Sequence, residues 1–318
     1  MNGAESVEED LVDFILRITH EIWEERQVER ISEYYSKDVI VRSPSGVSHG
    51  NEAVIEATHA TLAEFPDRQL LGEDVLTSSD DAVSFSSHRI FSTATHLGSG
   101  YFGAPTGAPL RYRVIADCAV RDGVIFDEWL VRDFGAITRQ LGIEPRDFAA
   151  RTVADAGGTT RESDLRFLAE PPAYAGRGNA HPAGAALARL VEAVVSDVPE
   201  RADTGVDRAA QFDLPGGASI VGARIGVRAS ADMFAPFRMS DVSVDHVLGC
   251  DDARRGTRAA VRVTARGRHV RAGMFGEPTG REVSLLTIWH AEFSRHGVRR
   301  AFVLADEVAV WRQVLSGE

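Results

Sequence analysis

Phe102-Gly-Ala-Pro-Thr-Gly107 is written a second time further along the chain, as Phe275-Gly-Glu-Pro-Thr-Gly280. The offset is 173 residues (102 to 275), and other features share it: His96 and His269, Asp133 and Asp306, Arg139-Gln140 and Arg312-Gln313. One offset held without a gap from His96 to Gln140 marks a duplicated domain, by the logic that shorter repeats obey. Each half is then a control on the other. Positions that agree report architecture, and positions that differ are where chemistry has been kept or lost.

The length of 318 residues fits two domains of ordinary size, and 44% apolar content suffices for two cores. The net charge of −12 argues against a nucleic-acid partner, because neutralising phosphates takes clustered Lys and Arg. Cys118 and Cys250 do not map onto each other and form no CxxC, so no disulfide framework or zinc site is indicated. No histidine pair has a metal-ligand spacing such as HExxH, so no metal is expected. Met1–Asp10 is acidic without an apolar signal core, and no apolar run is long enough to span a bilayer. The expectation is a cytoplasmic protein with no membrane partner.

Each half opens with an amphipathic helix: Leu11, Phe14, Ile15, Ile18 and Ile22 in one, Leu187, Leu190, Val191, Val194 and Val198 in the other. Short strands with Pro-Gly turns follow, at Val39–Arg42 with Pro44-Ser-Gly46 and at Gln211–Leu214 with Pro215-Gly-Gly217. A second helix is expected over Asn51–Phe65, with Asn51 as N-cap and Pro66 beyond its end. Four strands then read as Gln69–Ser78, Ala82–His96, Leu110–Val120 and Val124–Arg132, with Asp122-Gly123 a strong hairpin signal. Helices first and an antiparallel meander after give an α+β domain, a curved antiparallel sheet wrapped around helices. The boundaries read as 1–150 for the first domain, 151–182 for a Gly/Ala/Pro-rich linker with a short helix at Ser163–Ala169, and 183–318 for the second.

Helix, Pro-Gly turn, helix, then a hairpin carrying Thr95-His96 and Phe102–Gly107 resembles the SnoaL-like polyketide cyclase branch of the NTF2-like superfamily. Asp122-Gly-Val-Ile125, Glu128-Trp129, Asp133 and Arg139-Gln-Leu-Gly142 add to the resemblance. So do Gly267-Arg-His269, Asp306-Glu307 and Arg312-Gln313 in the second half. It implies tandem cone-shaped domains, each with a pocket between concave sheet and helices, used without metal or organic cofactor. It also implies a catalytic aspartate one residue past the Glu-Trp position, where this chain has Leu130, and Val303 in the second half. The family's pocket histidine falls near Ala116 or Asp117, and near Trp289 or His290. The aldol-type ring closure of the cyclases therefore lacks its usual residues here.

On the last strand Glu128, Leu130 and Arg132 share one face, while Asp127, Trp129, Val131 and Asp133 share the other. If the family's catalytic position faces the pocket, Glu128 is placed to be the base and Arg132 an anion or enolate stabiliser; in the second half both become alanines, Ala301 and Ala305. The competing reading is an ion pair on a solvated strand. Asp117, in the apolar run Val114–Val120, and its counterpart His290 suit acid–base work; a satisfied structural carboxylate is the alternative. His88 has no histidine counterpart (Val261), which makes it the better pocket candidate. His96 recurs as His269 and so suits a tether for the loop that follows, although it also stands among the candidate ligand contacts. The remaining candidate contacts are Trp129, Leu130, Tyr34 and His290; Tyr34 and Tyr35 have no clear second-half partners. Asp133 and Asp306 read as helix caps. Gly98–Gly103 matches G-x-G-x-x-G but joins two strands, so no helix N-terminus can receive a phosphate. Gly46-Val-Ser-His-Gly50 matches G-x-S-x-G, but that elbow belongs to a parallel sheet.

The expected function is cofactor-independent acid–base chemistry, of lyase, isomerase or cyclase type, on a small and largely apolar carbonyl or hydroxylated compound. The first half is the expected catalytic unit. The alternatives are a non-enzymatic small-molecule binder and a scaffold without a sizeable polar-lined pocket. The two domains are expected to pair within the chain, with a further homodimer left open.

Overall fold

The computed structural model describes residues 3–80, 82–158, 166–196 and 205–317. The first half runs α1 (Gly3–Trp23), α2 (Ile31–Tyr34), β1 (Tyr35–Ser43), β2 (Gly46–His49), α3 (Asn51–Glu64), β3 (Gln69–Asp80), β4 (Val83–Thr95), β5 (Pro109–Arg121), β6 (Val124–Arg132) and α4 (Phe134–Gln140). After α5 (Pro145–Asp155) the pattern returns. It runs α6 (Pro182–Val195), β7 (Val206–Asp213), β8 (Ser219–Val221), α7 (Ala223–Ala231), β9 (Phe237–Asp252), β10 (Gly256–His269), β11 (Glu282–Ser294), β12 (Gly297–Ala305) and α8 (Glu307–Leu315). The strand orders are β2-β1-β6-β5-β4-β3 and β8-β7-β12-β11-β10-β9, the same arrangement twice. These are tandem α+β domains of the NTF2-like cone type.

The sheets are mixed rather than wholly antiparallel. β1 pairs with β6, and β7 with β12, in parallel. A parallel pair needs a long crossover, and here the helix and the whole meander supply it. The Asp122-Gly123 hairpin has φ of 52° and 74° at its two residues, the left-handed pair that a two-residue turn requires. Asn51 is not a cap: Gly50 takes that position, and the Asn51 side chain donates to the Tyr35 carbonyl at 3.1 Å. Asp133 and Asp306 are caps, accepting from the Ala136 and Ala309 amides at 2.9 and 3.1 Å.

The repeated loops are built alike. Gly100 bridges Gly103 as Gly273 bridges Gly276. His96 Nδ1 lies 3.1 Å from Thr106 Oγ1 and His269 Nδ1 lies 3.2 Å from Thr279 Oγ1, each against a tilted, buried ring, Phe65 or Phe237, which in turn meets Phe102 or Phe275. In α1, Leu11, Ile15, Ile18 and Ile22 are buried against the first sheet; Leu187, Leu190, Val191 and Val194 of α6 do the same in the second. Val198 lies outside the described residues.

The faces of the two sheets turned away from their helices pack on each other with two-fold reciprocity. Arg262 stacks over Trp129 at 4.6 Å, and its equivalent Arg89 stacks over Phe302, the equivalent of Trp129, at 3.5 Å. Asp133 accepts from the Gly216 amide at 2.9 Å in the second half's Pro-Gly turn, and Asp306 accepts from Ser45 Oγ at 3.3 Å in the first half's. Contacts that exchange i with j in this way characterise an isologous interface. Chain between the sheets is packed rather than loose. Phe167, in the turn Arg166–Leu168, is fully buried, and Tyr174 stacks on Phe85 at 5.3 Å. The earlier part of the helix expected at Ser163–Ala169 lies outside the described residues. At Gly178, φ is +93° and an added Cβ would lie 1.8 Å from the Val247 carbonyl oxygen; only glycine lets this segment bridge onto β9.

Candidate functional site

The concave face of the first sheet, closed by α1 and α3, encloses a cavity of about 420 Å³. Strand pairing lays its lining out in rows. Ser86, Cys118 and Glu128 are aligned across β4, β5 and β6; His88, Ala116 and Leu130 form the next row; Ile90, Val114 and Arg132 the third. Every second residue of a strand faces the same way, so Glu128, Leu130 and Arg132 all point into the cavity. The walls between the polar groups are aliphatic, with Ile15, Ile18, Ile22 and Val54 contributed by the helices.

Glu128 is 6% exposed. Its carboxyl is held above the usual carboxylate range, chiefly by burial, against the opposing effects of a hydrogen bond from Tyr35 and the charge of Arg132. Burial and the neighbouring Glu128 push the Tyr35 hydroxyl well up, so it stays protonated and donates. The Cys118 thiol, also raised well above its usual value, donates to the same carboxyl. Among the described residues Glu128 Oε2 has no hydrogen-bond partner. His88 is pushed down to about 4 by burial, reinforced by Arg89, so it is a neutral imidazole near pH 7, and its Nε2 is also unpartnered. At the far end stand two arginines. Arg132 is lowered from its usual value by burial and by the charge of Arg68. Arg68 is 2% exposed, donates from Nε to Ser92 Oγ at 3.1 Å, and lies over Trp23 at 4.8 Å.

The sequence-derived candidates divide. Glu128, His88, Leu130 and Arg132 line this cavity. Asp117 does not. It sits on the opposite face of β5, between the domains, accepting from Ser87 Oγ at 2.5 Å and Arg262 Nη1 at 3.0 Å. Its counterpart His290 meets the same Ser87 Oγ at 2.9 Å, so the interface brings the two equivalent residues together around one hydroxyl. Trp129 is on that face too, because it neighbours Glu128 on a strand and so points the other way. His96 is fully buried beside Thr106 and Glu64 and contacts no cavity atom; it is the loop tether. Tyr34 also leaves the site. It ends α2 beneath α1, where its hydroxyl bonds Glu21 Oε2 at 2.5 Å, and the pocket tyrosine is Tyr35 at the head of β1. Tyr35 had a signal, being unmatched in the second half. Arg68 had none, since an Asp-Arg pair after a proline reads as a solvated turn.

The equivalent positions in the second cone are Val261, Trp289, Ala301, Val303 and Ala305, all buried in apolar core. The Trp289 indole, which donates to Thr287 Oγ1 at 2.9 Å, stands where the first domain has Ala116. A groove of about 580 Å³ on the second half is lined by Met233, Met274 and Val303; its charged residues, Arg228 and Asp232, pair with each other.

Residues 14–141 match the family model described as SnoaL-like polyketide cyclase. The match lies wholly within the first half. Among solved structures the chain is similar to wild-type IdmH from Streptomyces antibioticus, with 24% identity, 42% of this chain and 98% of that one covered, and a TM-score of 0.37. For AclR from Streptomyces galilaeus the figures are 22%, 42%, 96% and 0.38. For a SnoaL-like polyketide cyclase from Agrobacterium tumefaciens they are 21%, 42%, 98% and 0.34. No curated protein matches the chain. No helix among the described residues is long and apolar enough to cross a membrane.

Proposed function

We propose that the first domain is a cyclase- or isomerase-type acid–base enzyme in which Glu128 moves a proton on a small, largely apolar carbonyl compound. The observation that carries this is the free Oε2 of Glu128, buried in an aliphatic cavity that its pKa shift suits to proton transfer. The ionised carboxylate removes a proton from the carbon next to the carbonyl. The C–H electron pair passes to the carbonyl oxygen as an enolate, and Glu128 returns the proton at the same or another carbon. Tyr35 and Cys118 orient the carboxylate. The aliphatic walls exclude water, which strengthens every polar interaction inside. The second domain, with its polar positions replaced by Ala301, Ala305 and Val261, serves as structural partner.

Proton abstraction can be read before the natural substrate is known. 2-Tetralone, an apolar bicyclic ketone, is incubated with the protein in deuterium oxide and loss of its α-proton NMR signals is followed. Exchange above buffer that falls about 10²–10⁴-fold in Glu128→Gln is the expected result. Exchange at the same rate in Glu128→Gln would remove Glu128 from the role. A binder is the second reading, favoured by Leu130 standing where the family resemblance puts a catalytic aspartate. It predicts saturable binding with no exchange.

A further inference from the structure

We infer that Arg68 and Arg132 form an anion subsite, and that the compound this cavity accepts carries a carboxylate at the end remote from Glu128. This rests on the cavity being the ligand site; it does not depend on Glu128 acting as base. Four residues of extended strand separate Glu128 from Arg132, about 13 Å between Cα atoms at 3.3 Å per residue. One row from Arg132, Ser92 faces Tyr112 across the sheet, and the Arg68 guanidinium is fixed there by Ser92 Oγ and by the rings of Trp23 and Tyr112.

The charges at that end do not balance. Elsewhere among the described residues, buried arginines have carboxylates: Arg42 pairs with Asp127, Arg258 with Asp74, and Arg262 with Asp117. Among the described residues Arg68 forms no ion pair, and its Nη1 is buried with no hydrogen-bond partner there. Among the described residues Arg132 has no acid within ion-pair distance, and Glu128, two rows away, is oriented by Tyr35 and Cys118. His88 is neutral. Two guanidinium groups in an aliphatic cavity, set against the more distant carboxyls of Glu128 and Asp306, leave an excess positive charge where solvation is poor, and burying an uncompensated charge is costly. A ligand anion cancels that excess. Planar guanidinium groups match a carboxylate with paired N–H donors. In the second cone the Arg132 position is Ala305. The middle of the cavity, Ala116 and Leu130, then takes an apolar skeleton that runs toward Glu128.

The test compares 2-naphthoate with its methyl ester, which keeps the rings and removes the charge, by calorimetric titration of the full chain at pH 7. The acid is expected to bind at least about tenfold more tightly. In Arg132→Met and Arg68→Met that preference should shrink to within about threefold, while Glu128→Gln keeps or widens it. Equal affinity of acid and ester for the unmutated protein, or no saturable binding of the acid, would overturn the inference. That comparison uses no variant, so it stands even if Arg68→Met fails to fold. A clear acid preference without 2-tetralone exchange upholds the anion subsite and removes the base. Exchange with equal affinities does the reverse.

Discussion

Asp117→Ala should damage the joint between the domains while leaving the chemistry of the cavity in place. Asp117 and Arg262 are about 3% exposed and 3.0 Å apart, and Asp117 also accepts from Ser87. Removing the carboxylate strands a guanidinium between two sheets, and breaking a buried pair from one side costs about 3–5 kcal/mol. Unfolding entropy near 2.1 cal/mol/K per residue, over 318 residues, is about 0.7 kcal/mol/K. The loss therefore lowers the melting temperature by about 4–8 °C. Adding Arg262→Met removes the stranded charge and should recover most of the difference, a non-additivity that a double-mutant cycle reads directly. Scanning calorimetry of the four proteins, with 2-tetralone exchange measured well below the transition, gives both readouts. A variant that melts with the unmutated protein but loses exchange would refute the interface role and return Asp117 to the chemistry.

Further expectations concern the cavity, the second cone and pH. Because Glu128 must be ionised to act, exchange should rise with pH through a midpoint above the ordinary glutamate value, and Glu128→Gln should lose that limb while melting within about 1 kcal/mol of the parent or higher. Trp289→Ala should cost about 3–5 kcal/mol by hollowing the second cone, seen as a shifted urea midpoint; an unchanged midpoint would show that Trp289 does not fill it. Burial raises Asp133 to about 6 and Asp306 to about 7, so the folded protein holds these protons more tightly than the unfolded chain. Their contribution to stability is complete below about pH 4 and is lost as pH rises through 6–7. Asp306→Asn should flatten that slope in melts between pH 5 and 8, and an unaltered slope would count against it.

The duplication, the strands and the cone fold are all legible along the chain, because offsets, period-two alternation and Asp-Gly turns are local properties. The same alternation separated Glu128, Leu130 and Arg132 from Trp129 and Asp127. What it could not do was tell one buried face from another. Both faces of β5 are covered, one by the cavity and one by the second sheet, so a carboxylate amid apolar residues reads the same on either. Asp117 and His290 looked catalytic for that reason, and only domain packing assigned them to the joint. Tyr34 and Tyr35 differ by one residue at a helix–strand boundary, where the backbone turns one under α1 and the other into the cavity. Arg68 was invisible, since its ring neighbours Trp23 and Tyr112 come from distant parts of the sequence. Sequence alone thus fixes which side chains alternate together. Which alternating set encloses a cavity, and which distant charge joins it, depends on surfaces that meet only after the chain has folded.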